Sequence, residues 1–330
     1  VRSAARKDLI QLGSAIPNIR GKAVVQLHQA LKRHSQKIPN YEADPSGYLP
    51  LRRRIARRSY TTGKSFHPDE FVITAGCQES LTLALRCIAI PGDIIAVESP
   101  CYYGQLQAME VMGLKTVEIP TSPEDGINTD ALDAALERWP VKGLVLTPSF
   151  SNPTGYLCPD AKKKEIVQLI RKHDIALIED DVFSDLGYAQ SGFSGERPRT
   201  IQSFDPDGRV ILCGSISKTI CPDLKIGWMT AGKYSRKTRD LKFISTLGAP
   251  FIPSLPWRIF YQAGPMKDIS GAQQEITKRK EIFCCQPSSA GFLWRVISQN
   301  PRAVFYAGSN FLKRWTDLSF TSAACKPVSQ

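Results

Sequence analysis

The stretch Phe71-Val72-Ile73-Thr74-Ala75-Gly76-Cys77-Gln78 runs through an amphipathic segment to Pro91-Gly92-Asp93 and then Ile94-Ile95-Ala96-Val97. Four β-prone residues, a glycine turn, a period-3.6 segment with Leu81, Leu85 and Ile88 on one face, and a Pro-Gly turn into a second β-prone run spell strand, helix, strand. The helix is predicted over about residues 78–87. Outward from this unit the alternation repeats. Further strands are predicted at 116–119, 143–147, 175–179, 210–213 and 226–231, with helices at about 105–112, 130–139 and 159–172. Strands separated by crossover helices indicate an α/β fold with a mostly parallel sheet, whose ligands lie beyond the carboxyl ends of the strands.

The 330 residues, 42% hydrophobic and 22% charged, suit a large core plus a smaller domain. Nine cysteines form no C-x-x-C pair, so neither a disulfide framework nor a metal site is expected, and a reducing cytoplasm fits. No apolar run reaches the length of a membrane span, and residues 1–8 lack the apolar core of a signal peptide, so no membrane partner is expected. The net charge of +12 is not arranged as a basic stripe interleaved with aromatics, which argues against a nucleic-acid groove. Its densest run, Arg52, Arg53, Arg54, Arg57 and Arg58, reads as a solvated helix face.

Three segments are expected: an arm or linker over 1–45 with one helical pattern at 24–34, a large domain over 46–250, and an atypical small-domain remnant over 251–330. Beyond about residue 250 the alternation fades, and Gln286-Pro287-Ser288-Ser289 and residues 325–330 read as loops.

Three places carry chemistry. In Thr74-Ala75-Gly76-Cys77-Gln78 a strand passes through glycine into a helix, whose exposed amides and dipole suit a phosphate, although such a turn also serves as plain punctuation. Asp180 follows the predicted strand 175–179, at the end where ligands bind. A carboxylate there either keeps a pyridine nitrogen protonated or caps the next turn, and Asp181 is the less favoured neighbour. Lys218 closes Gly214-Ser215-Ile216-Ser217-Lys218, again after a predicted strand. Its amine condenses with an aldehyde only when neutral, and the hydroxyls beside it can bind phosphate; the alternative is a surface loop.

The order of these places, from about residue 40 to 232, resembles the class I/II aminotransferases, and most closely the aminotransferase-like domain of the MocR subgroup of GntR-type bacterial regulators. The resemblance rests on Tyr41 with Gly47-Tyr48-Leu49-Pro50-Leu51-Arg52, on Ile73-Thr74-Ala75-Gly76-Cys77-Gln78 and on Glu98-Ser99-Pro100-Cys101-Tyr102-Tyr103-Gly104. It continues through Ser151-Asn152-Pro153-Thr154-Gly155, Ile178-Glu179-Asp180-Asp181-Val182-Phe183, Ser215-Ile216-Ser217-Lys218-Thr219 and Pro222-Asp223-Leu224-Lys225-Ile226-Gly227-Trp228.

This resemblance implies the fold type I architecture of the pyridoxal-phosphate-dependent transferases. It implies pyridoxal 5'-phosphate as cofactor, held covalently by Lys218, with Asp180 on the pyridine nitrogen, Tyr102 stacked on the ring and Asn152 donating to the phenolic oxygen ahead of a cis Pro153. Gly76, Cys77, Gln78, Ser215, Ser217 and Lys225 would hold the phosphate, and Tyr41 would reach the phosphate of a second subunit in a homodimer. Three features depart from the pattern. Lys225 stands where the family usually has arginine, and Phe183 where it usually has tyrosine. Beyond about residue 264 the small-domain pattern survives only as an echo in Ala290-Gly291-Phe292-Leu293-Trp294, with Arg295, Arg302 and Arg314 in unfamiliar surroundings. The C-terminal stretch reads as truncated or frame-shifted.

Two functions are therefore expected. One is amino-group transfer between an amino acid and a 2-oxo acid. The other is an effector-sensing domain of a transcriptional regulator, touching DNA only through a winged helix absent from this chain; the start at Val1 without a methionine favours a fragment of such a protein.

Overall fold

A computed structural model describes residues 10–11, 25, 28–29, 31–32, 44–186, 197–219, 221–249 and 303–304. Tyr41 and nearly all of 251–330 lie outside the described residues, and so do the expectations placed on them. Within 24–34 the described positions 25, 28, 29, 31 and 32 are helical.

The main body is one eight-stranded sheet: β1 (Phe71–Thr74), β2 (Ile94–Ser99), β3 (Lys115–Ser122), β4 (Gly126–Ile127), β5 (Val141–Leu146), β6 (Ala176–Asp180), β7 (Val210–Ser215) and β8 (Gly227–Thr230). Their order across the sheet is β1-β8-β7-β6-β5-β2-β3-β4. The central ladders β7-β6-β5-β2-β3 are parallel, whereas β8 runs antiparallel to both β7 and β1. Six α-helices accompany the sheet among the described residues: α1 (Leu49–Ser59), α2 (Cys77–Ile88), α3 (Tyr103–Val111), α4 (Thr129–Arg138), α5 (Asp160–Lys172) and α6 (Ser235–Thr246). The mostly parallel α/β sheet expected from the sequence is present, and α2 to α5 fall within two residues of their predicted bounds.

Alternation along each strand sorts side chains into two layers. Ala96, Leu144, Leu146, Leu177 and Val210 pack with Leu132 and Leu136 of α4 and Ile166, Val167 and Ile170 of α5. Ile95, Val97, Val145, Ile178, Ile211 and Met229 face the other way, onto Leu81, Ala84 and Leu85 of α2 and Met109 of α3. A third cluster lies at the β1/β8 end, where Phe71, Ile73 and Trp228 meet Leu51, Ile55 and Ala56 of α1. Each fully buried aliphatic side chain stabilises the fold by roughly 1.5–3 kcal/mol, so both helix layers hold the sheet rigidly.

The arginine run departs from expectation. Arg53 and Arg57 are exposed, but Arg52 is buried and ion-pairs with Asp44 and Asp69, while Arg58 pairs with Asp185. The face is thus half solvated and half pinned by carboxylates from other segments. Among the described residues no helix is long and apolar enough to cross a membrane.

Candidate active site

Because β2, β3, β5, β6 and β7 are parallel and β1 shares their direction through the intervening antiparallel β8, six carboxyl ends open on one edge. The first residue of β8 lies on that edge too. The described sequence-predicted site residues therefore lie at strand ends, in the turns that follow them or at helix starts on one edge of the sheet.

The turn after β1 is built around Gly76, with φ 84° and ψ 171°. It is the N-cap of α2, and no side chain caps that helix. Thr74 Oγ1 donates to the Gly76 carbonyl at 3.0 Å, and Glu79 accepts from Ala75 N at 2.5 Å. Buried Lys242 of α6 reaches both Glu79 oxygens at 2.8 Å. A Cβ at Gly76 would meet nothing within 4 Å, so the space beside this turn is open. At Gly227, by contrast, a Cβ would lie 2.5 Å from the Gly76 carbonyl carbon, which is why β8 starts with glycine.

Asp180, the last residue of β6, is buried. Its Oδ1 accepts from Cys77 Sγ at 3.3 Å and from Val182 N at 3.2 Å. Burial pushes this carboxyl up to about 6, although the Cys77 and Val182 donors pull it down. Burial, followed by the charge of Asp180, drives the Cys77 thiol well above its usual range. Gln78 Nε2 donates to the Gly104 carbonyl at 3.1 Å, tying the β1 turn to the start of α3. Tyr102 N-caps α3 and its ring lies against Gly104, where a Cβ would come within 2.5 Å of it. Burial raises the Tyr102 phenol, and Tyr103, Asp180 and Cys77 add to that.

Lys218 follows β7, with Nζ 5.7 Å from the centre of the Phe183 ring, which belongs to the loop after β6. Ser215 Oγ accepts from Ser217 N at 3.1 Å and lies 2.9 Å from Ser217 Oγ and from the Ile226 carbonyl. Lys225 is exposed, in left-handed backbone with φ 50°, two residues before β8. Asn152 sits in the loop after β5, and the Asn152–Pro153 bond is cis as expected.

Cys77 thus bonds Asp180 directly, Gln78 and Tyr102 both meet Gly104, and Lys218 Nζ lies 5.7 Å from the centre of the Phe183 ring. Asn152, Ser215, Ser217 and Lys225 share the edge. Glu98, Gln105 and Tyr156 were not singled out from sequence, yet all three bury polar atoms, with Tyr156 OH donating to Glu98. The available signal was Glu98 itself, a charged residue closing the apolar run Ile94-Ile95-Ala96-Val97.

This sheet, with a helix N-terminus, a buried aspartate and a lysine at one edge, has the fold of the fold type I pyridoxal-phosphate-dependent transferases. Residues 7–246 match the family model for aminotransferase class I and II, and the chain belongs to that family, whose cofactor is pyridoxal phosphate. It is 42% identical over 248 residues to the HTH-type transcriptional regulator YjiR of Escherichia coli K12, covering 74% of this chain and 52% of the relative. It is 33% identical over 211 residues to aromatic-amino-acid aminotransferase 1 of Thermococcus litoralis, covering 62% and 48%. Among solved structures, the kynurenine aminotransferase of Pyrococcus horikoshii superposes with a TM-score of 0.74 at 25% identity, covering 84% of this chain and 70% of that one. The chain spans about half the length of the curated relatives it matches.

Proposed function

We propose that this chain is a pyridoxal-phosphate-dependent aminotransferase unit, moving an amino group between an amino acid and a 2-oxo acid. The observation that carries this reading is the single edge shared by the uncapped α2 turn, buried Asp180 and Lys218. The open space beside Gly76 and the uncapped amides suit a phosphate. A carboxylate that burial has raised to about 6 suits a cationic ring nitrogen, which would favour its charged form.

In this reading Gly76, Cys77 and Gln78 bind phosphate through the helix N-terminus, with Ser215, Ser217 and Lys225 supplying hydroxyls and positive charge. Tyr102 would cover the ring, Asn152 would donate to its phenolic oxygen, and Asp180 would hold a proton on its pyridine nitrogen. Lys218 would anchor the cofactor through Nζ and move the substrate proton with the same atom. When bound, the cofactor supplies the electron sink that amino-group transfer requires. We extend the reading to a cytoplasmic homodimer in which Tyr41 serves the neighbouring subunit's phosphate, and to an arm over 1–45, a large domain over 46–250 and a small-domain remnant over 251–330.

A second reading is favoured by two relatives with HTH-type regulator names, at 42% and 38% identity. In it the domain senses an amino acid or 2-oxo acid without turnover, and DNA is contacted through a winged helix outside this chain. Titrating the cofactor-loaded protein with a panel of amino acids, while following visible absorbance and 2-oxo acid release, separates the two. Product release renewed by a second 2-oxo acid supports transfer. An absorbance change with saturable binding and no product supports sensing and overturns the first reading.

A further inference from the structure

We propose that Glu98 is a positioning residue, whose carboxylate at the carboxyl end of β2 gathers the loop between β5 and α5 and so sets where Asn152 sits. The inference rests on the assignment of Asn152 to the cofactor made above. Glu98 is 0% exposed and follows Ile95, Ala96 and Val97, also 0% exposed. Its Oε1 accepts from Thr147 N at 2.8 Å and lies 3.5 Å from Ser151 Oγ; its Oε2 accepts from Tyr156 OH at 2.5 Å. These donors bracket Asn152 in sequence, one at the exit of β5, one immediately before it and one four residues after it. The loop also closes on itself, through Gly155 N to the Ser151 carbonyl at 2.6 Å and Ser151 N to the Tyr156 carbonyl at 3.1 Å. Tyr156 is locked in turn, since its ring fills the space above Gly126, where a Cβ would come within 2.3 Å.

A carboxylate suits this place for a specific reason. An ionised carboxyl is acceptor-only, with about four lone-pair sites, so it can serve three converging donors at once, whereas a glutamine must turn an NH2 group toward one of them. An unpaired charge among such residues would be costly, so the donors have to be held in place for the carboxylate to be tolerated. Burial pushes Glu98 up to about 7, against the pull of Tyr156 and Thr147, so the acceptor-only carboxylate predominates above that pH. The same scaffold reaches Asp180 through Gln105, whose Nε2 donates to Thr147 Oγ1 at 3.4 Å and whose side chain also hydrogen-bonds Asp180.

Glu98→Gln and Tyr156→Phe, each made in the full chain, provide the test; Tyr156→Phe removes one hydroxyl and carries the test alone if the Glu98 variant does not fold. In cofactor-free protein, the Ser151 and Gly155 amides should exchange with solvent about tenfold faster than in the parent, with β7 amides unchanged. In loaded protein, the pH midpoint of the visible absorbance should rise, because a displaced Asn152 stabilises the phenolate less. Adding Asn152→Ala to either variant should then give no further rise. Unchanged exchange at the loop overturns the proposal. So does faster exchange with an unchanged absorbance midpoint, or a fall in thermal stability alone. If the parent protein shows no cofactor absorbance at all, the cofactor reading fails, and exchange in the cofactor-free protein decides whether Glu98 holds the loop.

Discussion

Replacing Gly76 with alanine separates a backbone effect from a steric one. With φ 84° and ψ 171°, Gly76 occupies a region open essentially to glycine, and a side chain forced there costs of order 1–3 kcal/mol. A Cβ at this position has nothing within 4 Å, so packing adds nothing to that figure. Against a stability of about 5–15 kcal/mol for an ordinary domain, the loss is measurable by urea unfolding of the cofactor-free protein. The strain is relieved only by rotating the backbone that aims the Cys77 and Gln78 amides. Cofactor affinity should fall with it, by about tenfold for each 1.4 kcal/mol of lost phosphate contact, as read by absorbance titration. Gly227→Ala provides the contrast, because its Cβ would lie 2.5 Å from the Gly76 carbonyl carbon and 2.8 Å from its oxygen. That clash is with backbone, so an overpacking cost of about 1–3 kcal/mol and loss of cofactor affinity are expected there too. If Gly76→Ala stays within about 0.5 kcal/mol of the parent and binds cofactor equally well, the glycine turn is neither strained for an L-residue nor a phosphate site.

Phe183→Tyr should lower the pH midpoint of the bound cofactor's visible absorbance. The Phe183 ring centre lies 5.7 Å from Lys218 Nζ, and a phenol there would add a second donor to the one Asn152 would supply, stabilising the deprotonated form; an unchanged or raised midpoint refutes the placement. Lys225→Arg should slow cofactor loss on dialysis modestly, since a guanidinium can make two parallel bonds to phosphate, and equal or faster loss would show that residue 225 does not face it. Cofactor-free protein should be more stable near about pH 5.5 than near about pH 8. Burial raises Glu98 from 4.5 to about 7 and Asp180 from 3.8 to about 6, and also raises Glu179, so the folded chain binds more protons than the unfolded one across that range. For Glu98 alone the loss between about pH 5.5 and about pH 8 is about 2 kcal/mol. Asp125, Asp133 and Asp174 are held below their ordinary 3.8, so what they contribute is lost only in more acidic solution. Unfolding free energies that rise from about pH 5.5 to about pH 8 would contradict this.

What the sequence made legible follows from which forces are local. Helix α2 was readable because Leu81 and Leu85 bury on one face at helical spacing, and the strands because β-prone runs end at Gly or Pro turns. The candidate site was readable as ordered motifs, since Gly76, Asp180 and Lys218 each follow a strand. The reversed direction of β8 was not, because a strand's residue pattern is the same whichever way it runs. The burial of Arg52 and Arg58 was also hidden, since it depends on Asp44, Asp69 and Asp185 arriving from other segments. Glu98 escaped for the same reason: hydropathy marks a charge at a strand end as exposed, and only the fold brings Thr147 and Tyr156 to it.

The central claim is that Lys218 is the lysine that carries the cofactor. Purified protein incubated with pyridoxal phosphate, reduced with borohydride and digested should yield one modified peptide, with the label on Lys218. That label should disappear in Lys218→Ala while Asp180, Cys77 and the rest of the sheet edge remain folded. A label on Lys225 or any other lysine, or no label on protein that unfolds cooperatively, would contradict the account.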